Sequence, residues 1–167
     1  MIAREAQLAQ RNAQNTVGIR TQVPHEQLPI VIPQFIDEVM AWLGTQGVEP
    51  DGAPFIRYYV IDMDAELDIE VGWPVATALE GNGHIQAGVL PAGCYAALVY
   101  RGVENGIKGN GALIKWAEGN GVKWDRWDDE KGDAFRARVE FFLTDPDEEP
   151  DPSKWETEVA ILVLDGD

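Results

Sequence analysis

The chain has 167 residues, 45% of them hydrophobic, and carries 13 basic and 29 acidic residues for a formal net charge of −16. This length suits one domain with a single core, and so negative a surface argues against direct DNA binding and against binding to anionic membranes. The single cysteine, Cys94, excludes an intramolecular disulfide and a cysteine-based metal cluster.

The first predicted elements are a strand and a helix. Residues 16–23 alternate apolar and polar side chains, which predicts a strand. Residues 33–46 carry an apolar stripe at helical spacing, and Gly47 follows as the expected helix stop. We interpret the stripe as core, and its members are Phe35, Ile36, Val39, Met40 and Leu43.

Two hairpins are predicted next. The first joins residues 54–63 to residues 66–75 across an acidic turn. The second joins residues 85–90 to residues 94–101, with proline and glycine in the turn between them.

The last third of the chain predicts a helix and one more hairpin. The helix covers about residues 110–119 and contains several glycines, so we expect it to be the more mobile of the two helices. The closing hairpin joins residues 135–144 to residues 155–164 through an acidic, proline-rich connection. No strand–helix–strand alternation of the parallel type is present, so the class is α+β with antiparallel sheet.

Two stretches of the chain repeat each other. Residues 67–75, LDIEVGWPV, align without gaps with residues 155–163, WETEVAILV, which places Glu70 over Glu158. Self-similarity on this scale predicts a duplicated supersecondary unit.

We therefore predict one domain over residues 1–167, with pseudo-repeats of about 1–80 and 81–167. The expected fold is a duplicated strand-helix-strand-strand unit, with about eight mostly antiparallel strands and two helices around a central cleft. Such a cleft is where small-molecule sites form.

Several short motifs occur in a recognisable order: LPAGCYA from residue 90, YRG from 100, IKWA from 114, EFFLTDP from 140 and TEV from 157. This succession resembles the GyrI-like small-molecule-binding domains, the effector-binding domains of AraC- and MerR-type transcription regulators. The similarity extends from about Glu5 to Leu164. It implies a central cleft for bulky aromatic, often cationic molecules. The chain departs from complete regulators because it has no helix-turn-helix segment.

The resemblance also implies a role for Glu158, which matches the acidic residue of the Thr-Glu motif in the family's final strand. By residue type alone, Glu158 would face solvent. In an aromatic cleft it would act as a counter-charge for an organic cation or as a general acid or base. Some stand-alone members are implied to be hydrolases that open cyclopropane rings, and Glu158 is then the candidate catalytic residue.

Aromatic side chains are the other candidates for the cleft, because their faces attract cations. Core packing is the alternative for each of them. Pseudo-symmetry would place Glu70, the repeat partner of Glu158, in the cleft too, but its alternation with other acidic residues favours a solvated strand face. The candidate ligand-binding residues are Glu158, Trp155, Trp73, Tyr58, Tyr59, Phe141 and Trp127.

Other signals predict no further chemistry. His25 and His84 stand alone, so we expect no metal site, and no cofactor motif is present. The start of the chain is too polar for a signal peptide, which favours a cytoplasmic location. The Trp124–Trp127 stretch matches no motif of the family.

The sequence thus predicts a stand-alone protein that captures bulky aromatic, cationic small molecules. One alternative is a hydrolase that acts on cyclopropane rings in the same cleft. Another is a co-regulator that docks to a separate DNA-binding protein through its acidic surface. Turnover distinguishes the first alternative, and a pull-down distinguishes the second.

Overall fold

Residues 1–164, which the computed structural model describes, form ten strands and two α-helices. The strands are β1 (Ile2–Arg11), β2 (Gln14–Val23), β3 (Phe55–Ile61), β4 (Leu67–Pro74), β5 (Gln86–Leu90), β6 (Gly93–Arg101), β7 (Arg126–Asp129), β8 (Gly132–Phe135), β9 (Arg138–Phe142) and β10 (Glu156–Leu162). The helices are α1 (Leu28–Gln46) and α2 (Gly106–Gly119). Every strand pairing is antiparallel, which confirms the predicted α+β class.

The strand order has a two-fold character. Eight strands follow one path, β1-β6-β10-β9-β3-β4-β2-β5. If β1 is exchanged with β5, β2 with β6, β3 with β9 and β4 with β10, the same order is obtained, read from the other edge of the sheet. The centre lies between β3 and β9, where Ile56 pairs with Glu140. A duplicated unit would produce such an order, and the duplication itself stays a prediction.

The first strand of each half of the chain pairs with a strand of the other half. β1 pairs with β6, and β5 pairs with β2. Residues 12–13 alone connect β1 to β2, so at most about 11 Å separates their ends, although five strands lie between them in the sheet. The sheet is therefore strongly curved. The predicted hairpin of residues 85–90 with 94–101 is wrong, because these two strands are connected but never paired.

Both helices pack on the same face of the sheet. Val39 and Leu43 of α1 cover β2, and Leu113 of α2 packs in one cluster with residues of β6 and β10. Ile56 and Glu140 join the two regions, because directly paired strand residues point to the same face. We call this the convex face. The opposite, concave face lies beneath connections 12–13 and 91–92.

Helix α1 begins five residues before the predicted start. Pro33 lies inside it, where a proline removes one backbone hydrogen bond. Leu28 is buried in the cluster of β4, so packing holds the extra turn. Gly47 ends the helix with φ +68°, as predicted. Met40, predicted as core, is exposed.

The hairpin of β7 and β8 is absent from the sequence prediction. All four residues of β7 are exposed, so the strand has no apolar alternation. The hairpin lies between α2 and β9 and has no counterpart between α1 and β3. Within residues 1–164, no helix is both long enough and apolar enough to cross a membrane.

Candidate functional site

A buried carboxylate lies at the centre of the convex face, on the strands between the two helices. Glu140 is 8% exposed, and its Oε1 accepts a hydrogen bond of 3.1 Å from the Tyr100 hydroxyl. Among residues 1–164, no basic side chain approaches this carboxylate within 4.0 Å. A buried carboxylate held by phenols rather than by a cation is an unusual and costly arrangement.

Tyr58 faces the same carboxylate. Burial, followed by the charge and hydrogen bond of Glu140, raises the pKa of Tyr58 well above its ordinary value of 10.0. Burial and the Glu140 charge likewise raise the pKa of Tyr100. Both phenols therefore remain protonated donors at neutral pH.

Arg138 is the nearest positive charge along β9. Its Nη2 donates to Asn110 Oδ1 of α2 at 2.9 Å, and its Cζ lies 4.8 Å from the Phe135 ring centroid. Burial lowers the pKa of Arg138, and the charge of Glu140 opposes that shift. The guanidinium thus connects α2 to the sheet, and it leaves Glu140 without a direct ion pair.

Helix α2 approaches this centre through glycines. A Cβ atom added at Gly109 would lie 2.5 Å from Tyr100 Cδ1, so only glycine permits the observed contact. At Gly106 the corresponding atom would lie 3.4 Å from the Tyr100 hydroxyl. The backbone of α2 therefore lies directly against the ring of Tyr100, which also belongs to the core cluster of Leu113 and Phe135.

Glu158 lies on the opposite, concave face. It pairs with Phe141 of β9, and its Oε1 lies 2.9 Å from Arg11 Nη1. Arg11 also lies over the ring of Tyr95, with Cζ 5.6 Å from the centroid. A cavity of about 400 Å³ opens here, bounded by Arg11, Leu90, Tyr95 and Phe141. Glu158 is therefore already neutralised by a side chain of this protein.

Glu70 is buried, so the prediction of a solvated strand face is wrong for it. It is 3% exposed, and its Oε1 accepts a hydrogen bond of 3.1 Å from Tyr59. Burial raises its pKa, and the Tyr59 hydrogen bond opposes the rise. Alternation places Glu70 on the same side of β4 as Asp68, but there Tyr59 bonds to it and the backbone at Gly18 lies close to its side chain.

The remaining candidates are dispersed over the molecule. Trp73 packs against α1 and donates from Nε1 to the Ile36 carbonyl at 3.0 Å. Trp155 donates from Nε1 to the Glu149 carbonyl at 2.5 Å, in the connection before β10. Trp127 is 51% exposed on β7. The structure therefore brings Phe141 to Glu158, Tyr59 to Glu70 and Tyr58 to Glu140, not all seven candidates to one cleft.

Glu140 and Tyr100 were missed as functional candidates. The available signal was a lone acid within the apolar strand RVEFF, which is unfavourable unless the acid is partnered. Its partner Tyr100 is 40 residues away in sequence, and only the sheet order brings the two together.

The sequence matches the family model described as GyrI-like small molecule binding domain over residues 5–164. A search of curated proteins finds no match.

Solved structures share the fold at low sequence identity. EcmrR in its DNA complex superposes with a TM-score of 0.75 at 18% identity, covering 95% of this chain and 57% of the EcmrR chain. The chain therefore spans little more than half of that protein. SAV2435 bound to tetraphenylphosphonium superposes with a TM-score of 0.62 at 11% identity, over 96% of this chain and 94% of SAV2435. A hydrolase from Listeria innocua superposes with a TM-score of 0.64 at 13% identity, over 98% of this chain and 93% of the hydrolase chain.

Proposed function

The chain belongs to the GyrI-like small molecule binding domain family, and we propose that it captures bulky aromatic cations at the Glu140 centre of the convex face. One observation carries the proposal. Glu140 is buried and bonded to a phenol, and no basic side chain of residues 1–164 lies within 4.0 Å of it. An arriving organic cation would supply a direct counter-charge in addition to the more distant Arg138, and the tyrosine rings would supply cation–π contacts.

The charge of the whole protein supports the same class of ligand. A net charge of −16 draws cations toward the surface and repels anions. Tetraphenylphosphonium is the ligand of SAV2435, which has the same fold. A hydrophobic cation of that kind is therefore the first probe to use.

Entry would take place where α2 covers Tyr100. The contact there is made by Gly106 and Gly109, and the exposed side of this helix turn carries Ile107, which is 80% exposed. Displacing such a glycine-rich turn costs less packing than displacing large buried side chains. No side-chain hydrogen bond caps the start of α2, where Asn105 is the N-cap residue.

The test is a titration of tetraphenylphosphonium and of neutral triphenylphosphine oxide, followed by tryptophan emission or by calorimetry. Glu140→Gln keeps the shape and removes the charge. Glu158→Gln is the matched control, because it makes the same change on a neighbouring strand and on the opposite face.

We expect Glu140→Gln to weaken the phosphonium about tenfold or more, because a charge-assisted contact contributes about 1.5–3 kcal/mol. The phosphine oxide should bind the wild type and this variant alike. A loss confined to Glu158→Gln would move the site to the concave face. Equal affinity for the cation and the neutral molecule would reject cation capture altogether.

A second candidate function concerns the concave face. Arg11, the ion-pair partner of Glu158, lines a cavity of about 400 Å³, and a hydrolase from Listeria innocua shares the fold. Ring-opening hydrolysis with Glu158 activating water would require Arg11 to move aside. Product formation by the wild type and its loss in Glu158→Gln would support this function. A pull-down with DNA-binding regulators separates both functions from the co-regulator alternative.

A further inference from the structure

A second cavity on the concave side has a different character from the rest of the molecule. It measures about 440 Å³ and lies between β3 and the β7–β8 hairpin. Four basic residues and two acidic residues line it, in a protein with more than twice as many acids as bases. They are Arg20, Arg57, Lys131 and Arg136 with Asp68 and Asp129.

Arg57 is a buried guanidinium without a direct ion pair, although its charge acts to lower the pKa of the buried Glu70, its partner on the paired strand. It is 8% exposed, and no carboxylate among residues 1–164 lies within 4.0 Å of it. Its Nη1 and Nη2 donate to the carbonyls of Val89 and Arg136 at 3.0 and 2.7 Å. Its Nε is buried with no hydrogen-bond partner. A buried donor of this kind is costly unless something binds it.

Two further cations at the cavity are weakly neutralised. No carboxylate within residues 1–164 approaches the Lys131 amine within 4.0 Å, and Arg136 reaches Asp125 only at 3.7 Å. Arg20, in contrast, holds Asp68 with two hydrogen bonds and is already satisfied. Two exposed positive side chains, Lys131 and Arg136, are thus available to one anion, and the buried charge of Arg57 belongs to the same lining.

The remaining residues that line the cavity are aromatic or apolar. Trp127 stands at the rim with half of its surface exposed, and Phe135, Ala134 and Val60 lie deeper. Tyr59 completes the floor, with the Arg57 Cζ 4.6 Å from its ring centroid. A lining that combines basic groups with aromatic and apolar side chains suits a flat ring that carries one negative group.

We propose that this second cavity binds a small aromatic carboxylate. Its carboxylate would lie on the exposed Lys131 and Arg136, with the buried charge of Arg57 nearby, and its ring would lie against Trp127. Guanidinium groups favour carboxylates because their paired N–H groups match the two oxygens. The β7–β8 hairpin, which has no counterpart in the first half of the chain, then serves to build this site.

The test uses 2-naphthoate as the probe and 2-naphthamide as its neutral counterpart, with calorimetry at low and high salt. The variant Lys131→Gln/Arg136→Gln removes two exposed charges and leaves the buried Arg57 in place. Lys115→Gln is the control, because it removes an exposed charge on α2 away from the cavity. Thermal melting verifies that each variant is folded.

We expect naphthoate to bind at least about tenfold more tightly than naphthamide, and the double variant to abolish that difference. Trp127→Ala should weaken both molecules, and Lys115→Gln neither. Glu140→Gln should leave naphthoate binding intact, so the result is independent of the proposed cation site. Equal binding of the two probes, or equal loss in the double variant and in Lys115→Gln, would overturn the proposal.

Discussion

Glu140 and Glu158 lie on neighbouring strands but on opposite faces of the sheet. Glu140 pairs with Val159, and Glu158, one residue earlier on β10, pairs with Phe141. The first carboxylate is held by a phenol, and the second by Arg11 at 2.9 Å. Substitutions at the two positions therefore report on two separate surfaces.

The Arg11–Glu158 pair should be a modest contributor to stability. The Arg11 side chain is 30% exposed and the Glu158 side chain 16%. We therefore expect Arg11→Gln and Glu158→Gln each to lower the free energy of unfolding by up to about 1 kcal/mol. Because the two share one interaction, the double variant should cost little more than either single variant. Denaturant unfolding of the wild type, the two single variants and the double variant measures the coupling energy between Arg11 and Glu158. Fully additive losses would show that the pair contributes nothing.

All four tyrosines should lose their phenol protons at a higher pH in the folded protein than in the unfolded chain. Burial is the first cause of the raised pKa of Tyr58, Tyr59, Tyr95 and Tyr100, and Tyr59 reaches about 12. An acid whose pKa is raised on folding stabilises the folded state, and this contribution is complete below the unfolded pKa of about 10. That stability is lost as the pH rises through the folded pKa.

We therefore expect the free energy of unfolding to fall as the pH rises above about 10. Tyrosinate absorbance of the native and the denatured protein, followed together, measures the shift. A native tyrosine that titrates with the ordinary pKa would contradict the burial of that ring.

Gly109→Ala should destabilise the protein and disturb the Glu140 centre. The added methyl group would meet the ring of Tyr100 at 2.5 Å, so α2 must shift outward. Overpacking of this kind costs about 1–3 kcal/mol.

Gly111→Ala is the matched control on the same helix. No atom lies within 4 Å of its added Cβ, so the variant should gain up to about 1 kcal/mol of stability. Thermal melts compare the two variants, and equal effects would show that α2 does not pack closely on Tyr100.

Trp73→Phe should lower stability without changing cation affinity. The substitution removes the hydrogen bond from Nε1 to the Ile36 carbonyl, at a cost of about 1 kcal/mol. Trp127→Phe, at an exposed position, should change stability by less than about 0.5 kcal/mol. Reduced phosphonium affinity in Trp73→Phe would return this residue to the ligand site.

Local features of the fold were readable from the sequence. Gly47 adopts a positive φ that glycine tolerates best, and its place after the apolar stripe predicted the end of α1. The closing hairpin was also correct, since β9 and β10 do pair. Both features depend on residues close together in the chain.

Pairing between distant strands was not readable. The Pro91–Ala92 connection has the length of a hairpin turn, yet β5 bonds to β2. Asp68 and Glu70 lie on the same side of β4, yet the Asp68 side chain keeps 17% exposure and pairs with Arg20, whereas Glu70 is 3% exposed and bonded to Tyr59. The Glu140 centre was missed for the same reason, because its partner comes from β6.

The exchange of first strands between the halves means that neither half is complete alone. A fragment of residues 1–80 would contain β1 without its acceptor and β2 with one edge open. In the strand order, β2 is the counterpart of β6, which is the acceptor of β1. In two copies of such a half, each copy would offer the acceptor for the other's β1, as in a homodimer with exchanged strands. Fusing two such copies would turn an intermolecular association into an intramolecular one, freeing each half to acquire a different surface.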